Sequence, residues 1–239
     1  MSDQVNVTFH TPEDLSQGTI VSLSAEQSHH LMHVLRIKEG KHVLLFNGAG
    51  ARARAKVIES HPKRCRLEVV ELMPLNFPPL RVSLCFGLPK GNALDFIIRR
   101  VTEIGVRSFH PLITDHSLRA THWNEKRWAR VVIEVCKQAE QPLIPQLFNP
   151  SNLDHWLQAR EPSALFFCDE QARTAKLAKI PTEGPCDLLI GPEGGWSADE
   201  RQRIIRAGAV GLGLGKNRLR TETAAVVAVT LLKMSIGEL

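Results

Sequence analysis

Apolar residues along the chain follow two different rhythms, and the change falls near residue 74. Before it, short apolar runs alternate with turn residues, which is typical of β-strands joined by hairpins. Asn47-Gly48 is a strong hairpin signal, and Ser24 is a candidate cap for one short helix. The runs predict strands at residues 18–23, 41–46, 54–58 and 66–70. We therefore expect a compact β-barrel in this part of the chain.

After a proline-rich stretch at residues 73–79, predicted strands alternate with segments of helical period. Three prolines in six residues fit a linker better than a helix or a central strand. Alternation of this kind predicts an α/β domain with a largely parallel sheet. Its strands are predicted near residues 80–86, 108–113, 164–168, 187–190 and 209–214. The division predicts two domains, residues 1–74 and residues 75–239.

Four helices are predicted in the second part from apolar stripes and end signals. The first has Asn92 as a candidate N-cap and Gly105 as its C-cap, and the second begins at Asn124 and extends to Ala139. Residues 197–200 read SADE, which is a capping box that opens the third helix. The fourth, residues 222–234, is apolar on nearly every face, so we expect it to be deeply buried or to lie in a subunit interface.

Composition is close to that of soluble globular proteins, with 43% hydrophobic and 23% charged residues. No apolar run is long enough for a spanning helix, and the start of the chain lacks the features of a secretory signal. The five cysteines are scattered, without a C-x-x-C pair or zinc spacing. These observations predict a cytoplasmic protein that binds no membrane.

Histidines and basic residues give two further candidate sites in the first part. His29, His30 and His33 have helical spacing that suits a metal, but no acidic or cysteine ligand accompanies them, so a polar helix face is favoured and no metal is expected. The net charge of the chain is +5, and nine basic against two acidic residues from Arg36 to Arg66 give this segment +7. Such a stripe fits nucleic-acid binding or a solvated face, and its charge alone leaves both open.

Two glycine-rich loops each follow a predicted strand and precede a predicted helix. Residues 188–196 read LLIGPEGGW, and residues 212–223 read LGLGKNRLRTET. Ligands of parallel sheets bind at the carboxyl ends of the strands, and glycine lets the backbone approach them closely. Neither loop has P-loop or dinucleotide spacing, so a phosphate-rich cofactor is disfavoured. Two ordinary glycine turns are the alternative.

Charged residues crowd the second loop at Lys216, Arg218, Arg220 and Glu222. They fit a polar pocket in which arginine stabilises developing negative charge, or simply a solvated helix start. Nucleophilic catalysis is not indicated, because no G-x-S-x-G elbow occurs and Cys168 follows two phenylalanines, as a core residue would.

Both loops resemble the signature of a known enzyme family. LIGPEGG at residues 189–195 and LRTETA at residues 219–224 are similar to motifs of the RsmE-type 16S ribosomal RNA (uracil-N3) methyltransferases, which belong to the knotted SPOUT superfamily. HVLR at residues 33–36 and the segment 90–106 also resemble motifs of that family. The likeness therefore extends over the whole chain.

The resemblance implies a fold and an activity. Residues 1–74 would be a PUA-like RNA-binding β-barrel, and residues 75–239 an α/β SPOUT domain with a trefoil knot. The protein would be a homodimer that uses S-adenosylmethionine to methylate N3 of a uridine in 16S rRNA, within the small ribosomal subunit. The rival hypotheses are methylation of another rRNA or tRNA position, and a non-catalytic RNA-binding assembly factor.

The resemblance also implies roles for individual residues. Arg220 and Glu222 would be catalytic, while Arg36, Arg52, Arg54, Lys56 and Lys90 would contact RNA. The residues expected to bind the cofactor are Leu189, Ile190, Gly191, Pro192, Glu193, Gly194, Gly195, Leu212, Leu214, Gly215, Leu219, Arg220, Thr223 and Ala224. The chain departs from motifs frequent in the family at residues 6–8, 114–116 and 137–141.

Overall fold

A computed structural model describes residues 4–74, 77–172 and 184–239. It divides into two compact units, one of residues 1–78 with 136–144, and one of residues 79–135 with 145–239. The predicted domain division at residue 74 stays a prediction, and part of the proline-rich stretch, residues 75–76, lies outside the described residues.

The first unit is built on one curled five-stranded sheet with the order β1-β3-β4-β5-β2. Its strands are β1 (Gln4–His10), β2 (Ile20–Ser22), β3 (His42–Phe46), β4 (Arg52–Glu59) and β5 (Arg66–Met73). The four predicted strands are present, and β1 is an addition that pairs in parallel with β3. The predicted hairpin joins β3 to β4, and Asn47 stabilises it by accepting hydrogen bonds from the amides of Ala49 and Ala51 at 3.0 Å.

A short helix packs against this sheet at the predicted place. Helix α1 (Ala25–His29) begins after Ser24, whose hydroxyl accepts a hydrogen bond from the Gln27 amide at 3.2 Å. The helix widens into a π-helical turn at His30–Val34. Its buried Leu31 packs into the core of the unit, so one helix and one face of the sheet share a single hydrophobic core.

The second unit contains a sheet in which every pairing is parallel, as the sequence predicted. The strand order is β12-β10-β11-β6-β7-β8, and β9 lies beside β7. The strands are β6 (Val82–Gly87), β7 (Ser108–Ile113), β8 (Gln146–Leu147), β9 (Ser151–Asn152), β10 (Ala164–Cys168), β11 (Cys186–Ile190) and β12 (Val210–Leu212). Strands β6 and β11 are buried at every position, as expected for the centre of a sheet covered on both faces.

The described residues form five further α-helices after the first one. They are α2 (Ala93–Ile104), α3 (Glu125–Gln138), α4 (Leu153–Ala159), α5 (Ala198–Arg206) and α6 (Thr221–Ser235). Four match the predicted helices, and α4 was not predicted. Two details differ from the prediction: Asn92 precedes α2 in a helical backbone conformation and its side chain caps nothing, while Ala139 falls just beyond the end of α3. None of the helices within the described ranges is long and apolar enough to span a bilayer.

The carboxyl end of α6 is anchored by buried charges. Lys233 donates a hydrogen bond to the Gly105 carbonyl at 2.7 Å and lies 3.2 Å from a Glu238 oxygen. The other Glu238 oxygen accepts from Arg81 Nε at 2.9 Å. Because each buried charge has a partner, these contacts fix one end of α6, whose opposite end borders the site described next.

Candidate active site

A cavity of about 1100 Å³ lies where the carboxyl ends of β10, β11 and β12 meet their following loops. These three strands are neighbours in the sheet, so loops distant in sequence converge at one edge. Both glycine-rich loops line the cavity, together with residues of the loop before α2. Its position and size are those expected of a ligand site in an α/β protein.

The loop after β11 is packed too closely for larger side chains. A Cβ atom at Gly194 would lie 2.7 Å from Cβ of His116, and Gly195 has a φ of +68°, which favours glycine. The loop is also tied to the segment before α2, since Glu193 accepts a hydrogen bond from the Lys90 amide at 2.8 Å. The glycines are therefore needed for the shape of the cavity wall.

The buried carboxylate of Glu200 holds this loop in place. One of its oxygens accepts a hydrogen bond from the Asp115 amide at 2.8 Å, and the other accepts from the Ser197 amide at 2.9 Å. Ser197 completes the predicted capping box through the Glu200 amide. His116 Nδ1 also lies 3.2 Å from the Gly195 carbonyl oxygen. Two loops that are far apart in sequence are thus fixed to each other beside the cavity.

A second carboxylate, Asp169, lies directly after β10 in the cavity wall. Arg201 of α5 binds it with two hydrogen bonds of 3.1 and 2.8 Å, and the Gln171 amide adds a third at 3.0 Å. Burial alone would raise the pKa of Asp169, but the hydrogen bonds from Arg201 and Gln171 hold that pKa below its ordinary value. The group therefore stays ionised at neutral pH and is occupied in holding the wall together.

The second glycine-rich loop leads into α6, where the two predicted catalytic residues lie. The Arg220 carbonyl accepts the hydrogen bond of the Ala224 amide at 2.8 Å, while its exposed side chain makes no capping bond. Glu222 lies in the first turn and is partly exposed. Neither side chain has an ion-pair partner within the described ranges, whereas Arg218 lies 3.2 Å from Glu170. Arg220 and Glu222 are thus available to a ligand.

Nearly all of the residues expected to bind a cofactor line this one cavity. Leu189 is the exception, because its side chain is completely buried in the hydrophobic core. Glu222 and Lys90 line the cavity as well. The expected residues that line it are Ile190, Gly191, Pro192, Glu193, Gly194, Gly195, Leu212, Leu214, Gly215, Leu219, Arg220, Thr223 and Ala224. The structure brings them together, and their individual roles stay predictions.

Several residues of the cavity wall were not predicted from the sequence. Asp169 and Glu170 follow β10 just as the glycine-rich loops follow their strands, so their position at a strand end was a usable signal. Arg201 lies in the middle of a helix and gave none. Cys168, interpreted as a core residue, also lines the cavity, but burial, followed by the nearby Asp169, raises the pKa of its thiol to about 12. It is therefore no nucleophile at neutral pH.

The basic residues of β4 lie on one face of the first unit, because they alternate with buried positions. Arg52 lies 3.2 Å from Glu140, and Arg54 lies 3.2 Å from Glu71. Lys56 and Arg36 are exposed and have no ion-pair partner in the described part of the chain. The stripe is therefore partly neutralised by carboxylates from outside it, Glu71 and Glu140.

Two family descriptions match the chain. The family described as "RNA methyltransferase domain" matches residues 76–233, and that described as "RNA methyltransferase PUA domain" matches residues 23–70. Together they cover most of both units. The first alone covers more than half of the chain.

Similar proteins agree with these matches. Proteins called "Ribosomal RNA small subunit methyltransferase E" from Buchnera aphidicola and Synechocystis are each 32% identical to the chain. The alignments cover 96% and 91% of this chain and 94% and 74% of the relatives, respectively. A crystal structure of the protein of that name from Neisseria gonorrhoeae, bound to S-adenosylmethionine, matches with a TM-score of 0.88 and 28% identity. That match covers 95% of this chain and 97% of the other.

Proposed function

Because the chain belongs to the RsmE-type family of small-subunit ribosomal RNA methyltransferases, we propose that it transfers a methyl group from S-adenosylmethionine to N3 of a uridine in 16S rRNA. The observation that carries this proposal is the meeting of both glycine-rich loops with Arg220 and Glu222 in one cavity. A protein that only bound RNA would need neither the closely packed loops nor the two available charged groups.

The residues present fit the cofactor. Gly191, Gly194 and Gly195 line the cavity with main chain only, and Ile190, Leu212 and Leu214 give the cavity an apolar wall. The indole N–H of Trp196 is buried and has no hydrogen-bond partner among the described residues, so it is free to bind an acceptor. When bound, S-adenosylmethionine supplies a methyl group attached to a positively charged sulfur. The main-chain N–H and C=O groups of the two loops would hold it.

Arg220 would stabilise negative charge on the target base. Uridine N3 lies on the Watson–Crick edge and carries a proton, so the base must be unpaired and must lose that proton. The resulting charge spreads to the uracil oxygens, which a guanidinium binds well. The start of α6 adds a positive potential at the same place. Stabilisation of this kind lowers the barrier to transfer.

Glu222 is the candidate base that accepts the N3 proton. It lies two residues after Arg220, lines the same cavity and is partly exposed, so a bound uracil can reach it. A base supplied by the partner subunit of a dimer is the alternative. In either case, holding N3 in line with the methyl group removes a large entropic cost from the reaction.

The partly exposed face of α6 supports a homodimer. Val226, Val227 and Leu231 are only half-buried, and Met234 is 61% exposed. They continue the helical face that begins with Thr223 at the cavity, so a second copy packed there would lie beside the active site.

Three observations support a cytoplasmic enzyme. They are the basic face of β4, the small-subunit RNA substrate, and the five cysteines, which are all free thiols.

Calorimetric titration with S-adenosylmethionine, combined with methyl transfer to 16S rRNA, tests this proposal. The full chain should bind the cofactor and transfer radioactive methyl groups. The Arg220→Ala variant keeps the main chain that would hold the cofactor, so it should largely retain cofactor binding but lose transfer. Arg206→Ala, which removes an exposed arginine from the end of α5, is the matched control and should keep both. No cofactor binding by the unaltered protein would favour the assembly factor, and unchanged transfer by Arg220→Ala would remove Arg220 from the mechanism.

A further inference from the structure

A second cavity, of about 480 Å³, adjoins the active site in the same unit. It lies between the segment before α2 and the segment that leads into α3. Lys90 and Asn92 line both cavities, so a ligand in one lies close to a ligand in the other. The proposed reaction gives this second cavity no role, although its volume suits one nucleotide.

The wall of this cavity contains a buried hydrogen-bond donor without an acceptor. Trp128 is only 3% exposed, and its indole N–H has no partner among the residues that the structure describes. Buried donors in proteins are nearly always satisfied, so an unpaired one indicates a missing acceptor. A carbonyl oxygen or ring nitrogen of a bound base would supply it.

Arg127 provides a flat surface at the entrance. Its guanidinium carbon lies 4.5 Å from the centre of the Trp128 ring, and 60% of its side chain is exposed. A guanidinium held against an aromatic ring leaves its other face open, and RNA bases stack on such planes. Asp95, which lies 3.4 Å from Arg127 and 2.7 Å from Arg99, adds an acceptor for the N–H groups of a base.

The segment that contributes Leu118, His122, Arg127 and Trp128 to this cavity carries an excess of positive charge. Residues 116–130 include four exposed side chains of arginine or lysine and one carboxylate, Glu125. The four are Arg119, Lys126, Arg127 and Arg130. Their excess suits the phosphates on either side of a bound base, because each neutralised phosphate releases counterions.

We propose that this cavity binds an unpaired nucleotide of the RNA substrate next to the target uridine. The base stacks on Arg127 and accepts a hydrogen bond from the Trp128 indole, while Lys90 lies between the two nucleotides. This inference rests on the proposed function, because it assumes that the target uridine enters the first cavity. Binding a flanking nucleotide would help to hold the target base out of its stack.

Removal of single bases from the RNA tests the proposal directly. A short labelled single-stranded RNA with a central uridine is titrated with the full chain in saturating S-adenosylhomocysteine. Abasic residues then replace the flanking nucleotides one at a time. One abasic position should weaken binding about tenfold, as expected for the loss of one stacked base. Arg127→Ala should weaken binding of the intact RNA similarly and be insensitive to that abasic position.

Arg130→Ala is the matched control, because it removes the same charge from an exposed position of α3. It should weaken binding slightly and keep the full sensitivity to the abasic position. Trp128→Phe keeps an aromatic ring but removes the N–H, and it should reduce that sensitivity in part. Equal sensitivity in the unaltered protein, Arg127→Ala and Arg130→Ala would overturn the proposal, and so would no sensitivity at any position. Since this readout needs no turnover, it can fail while methyl transfer succeeds, or succeed while methyl transfer fails.

Discussion

Glu200 and Asp115 join two loops of the active site that are far apart in sequence. A Glu200 oxygen accepts the hydrogen bond of the Asp115 amide at 2.8 Å, and Glu200 is only 1% exposed. Because the same carboxylate caps α5 through Ser197, its removal would release the glycine-rich loop from two sides. We therefore regard Glu200 as a positioning residue rather than a catalytic one.

Replacing Glu200 with glutamine should weaken cofactor binding and lower stability. The amide N–H of either Asp115 or Ser197 would then face an NH₂ group instead of an oxygen. An unsatisfied buried donor costs about 1–3 kcal/mol. Urea unfolding and calorimetric titration with S-adenosylmethionine measure both effects. Asp199→Asn, an exposed change in the same helical turn, should alter the unfolding free energy by only a few tenths of 1 kcal/mol. Equal effects of the two variants would show that Glu200 has no special role.

The Asp169–Arg201 pair should matter more than a neighbouring, more exposed ion pair that also uses an arginine of α5. Asp169→Asn keeps the size of the side chain but weakens two hydrogen bonds in the cavity wall, so we expect a loss of about 1–3 kcal/mol. Asp154→Asn weakens the partly exposed pair between Arg203 of α5 and Asp154 of α4 and should cost less than about 1 kcal/mol. Denaturant unfolding of both variants gives the comparison, and the reverse order would contradict this account.

Asp169 should also contribute to the pH dependence of stability. Its pKa is lower in the folded protein than the ordinary 3.8, so its contribution is complete above that value and is lost as the pH falls toward the folded pKa. Unfolding measured in acid should therefore show a shallower loss of stability in Asp169→Asn than in the unaltered protein. A parallel acid dependence in the two proteins would mean that Asp169 titrates alike in the folded and unfolded states.

Because of His110, the stability of the second unit should decrease as the pH falls from 6.5 to 4. Burial lowers the pKa of His110 from 6.5 to about 4, and its Nδ1 accepts a hydrogen bond from the Trp156 indole at 3.3 Å. As the pH falls through 6.5, His110 binds a proton in the unfolded chain but stays neutral in the folded protein. The free energy of unfolding therefore decreases by about 3 kcal/mol over this range. Urea unfolding at several pH values measures the slope. His110→Phe should be less stable at neutral pH but show a flatter slope, and an unchanged slope would contradict the assignment.

On the basic face of β4, Lys56 should contribute more to RNA binding than Arg52. Lys56 is exposed, whereas the Arg52 side chain is only 14% exposed and already lies against Glu140. Lys56→Ala should reduce the slope of log affinity against log salt by about one phosphate contact. Titrations with labelled 16S rRNA fragments at several salt concentrations give that slope. Equal slopes for the unaltered protein, Lys56→Ala and Arg52→Ala would make this face a solvated surface only.

Features that depend on neighbouring residues could be predicted from the sequence. The capping box of α5 and the turn at Asn47 use groups a few residues apart, and both are present. The resemblance of the two loops led to the SPOUT α/β fold with a PUA-like first domain, and this fold class is confirmed. Parallel strands with glycine-rich loops also predicted the edge of the sheet at which the large cavity lies.

Features that depend on distant residues could not be predicted. Arg201 meets Asp169 across 32 positions, and the bond between Glu200 and Asp115 spans 85 positions. Residues 136–144 belong to the first unit although they follow much of the second, and nothing in their composition indicates it. Strands β8 and β9 have only two residues each, too few for a period to be recognised.

Mapping the methylated base in 16S rRNA tests the central claim most directly. RNA from a strain that lacks the gene is compared with RNA from the same strain carrying the gene or its Arg220→Ala variant. We expect a single 3-methyluridine that disappears without the gene, returns with the unaltered gene and stays absent with the variant. A modification at another position, on another atom, or equally restored by Arg220→Ala would contradict the account.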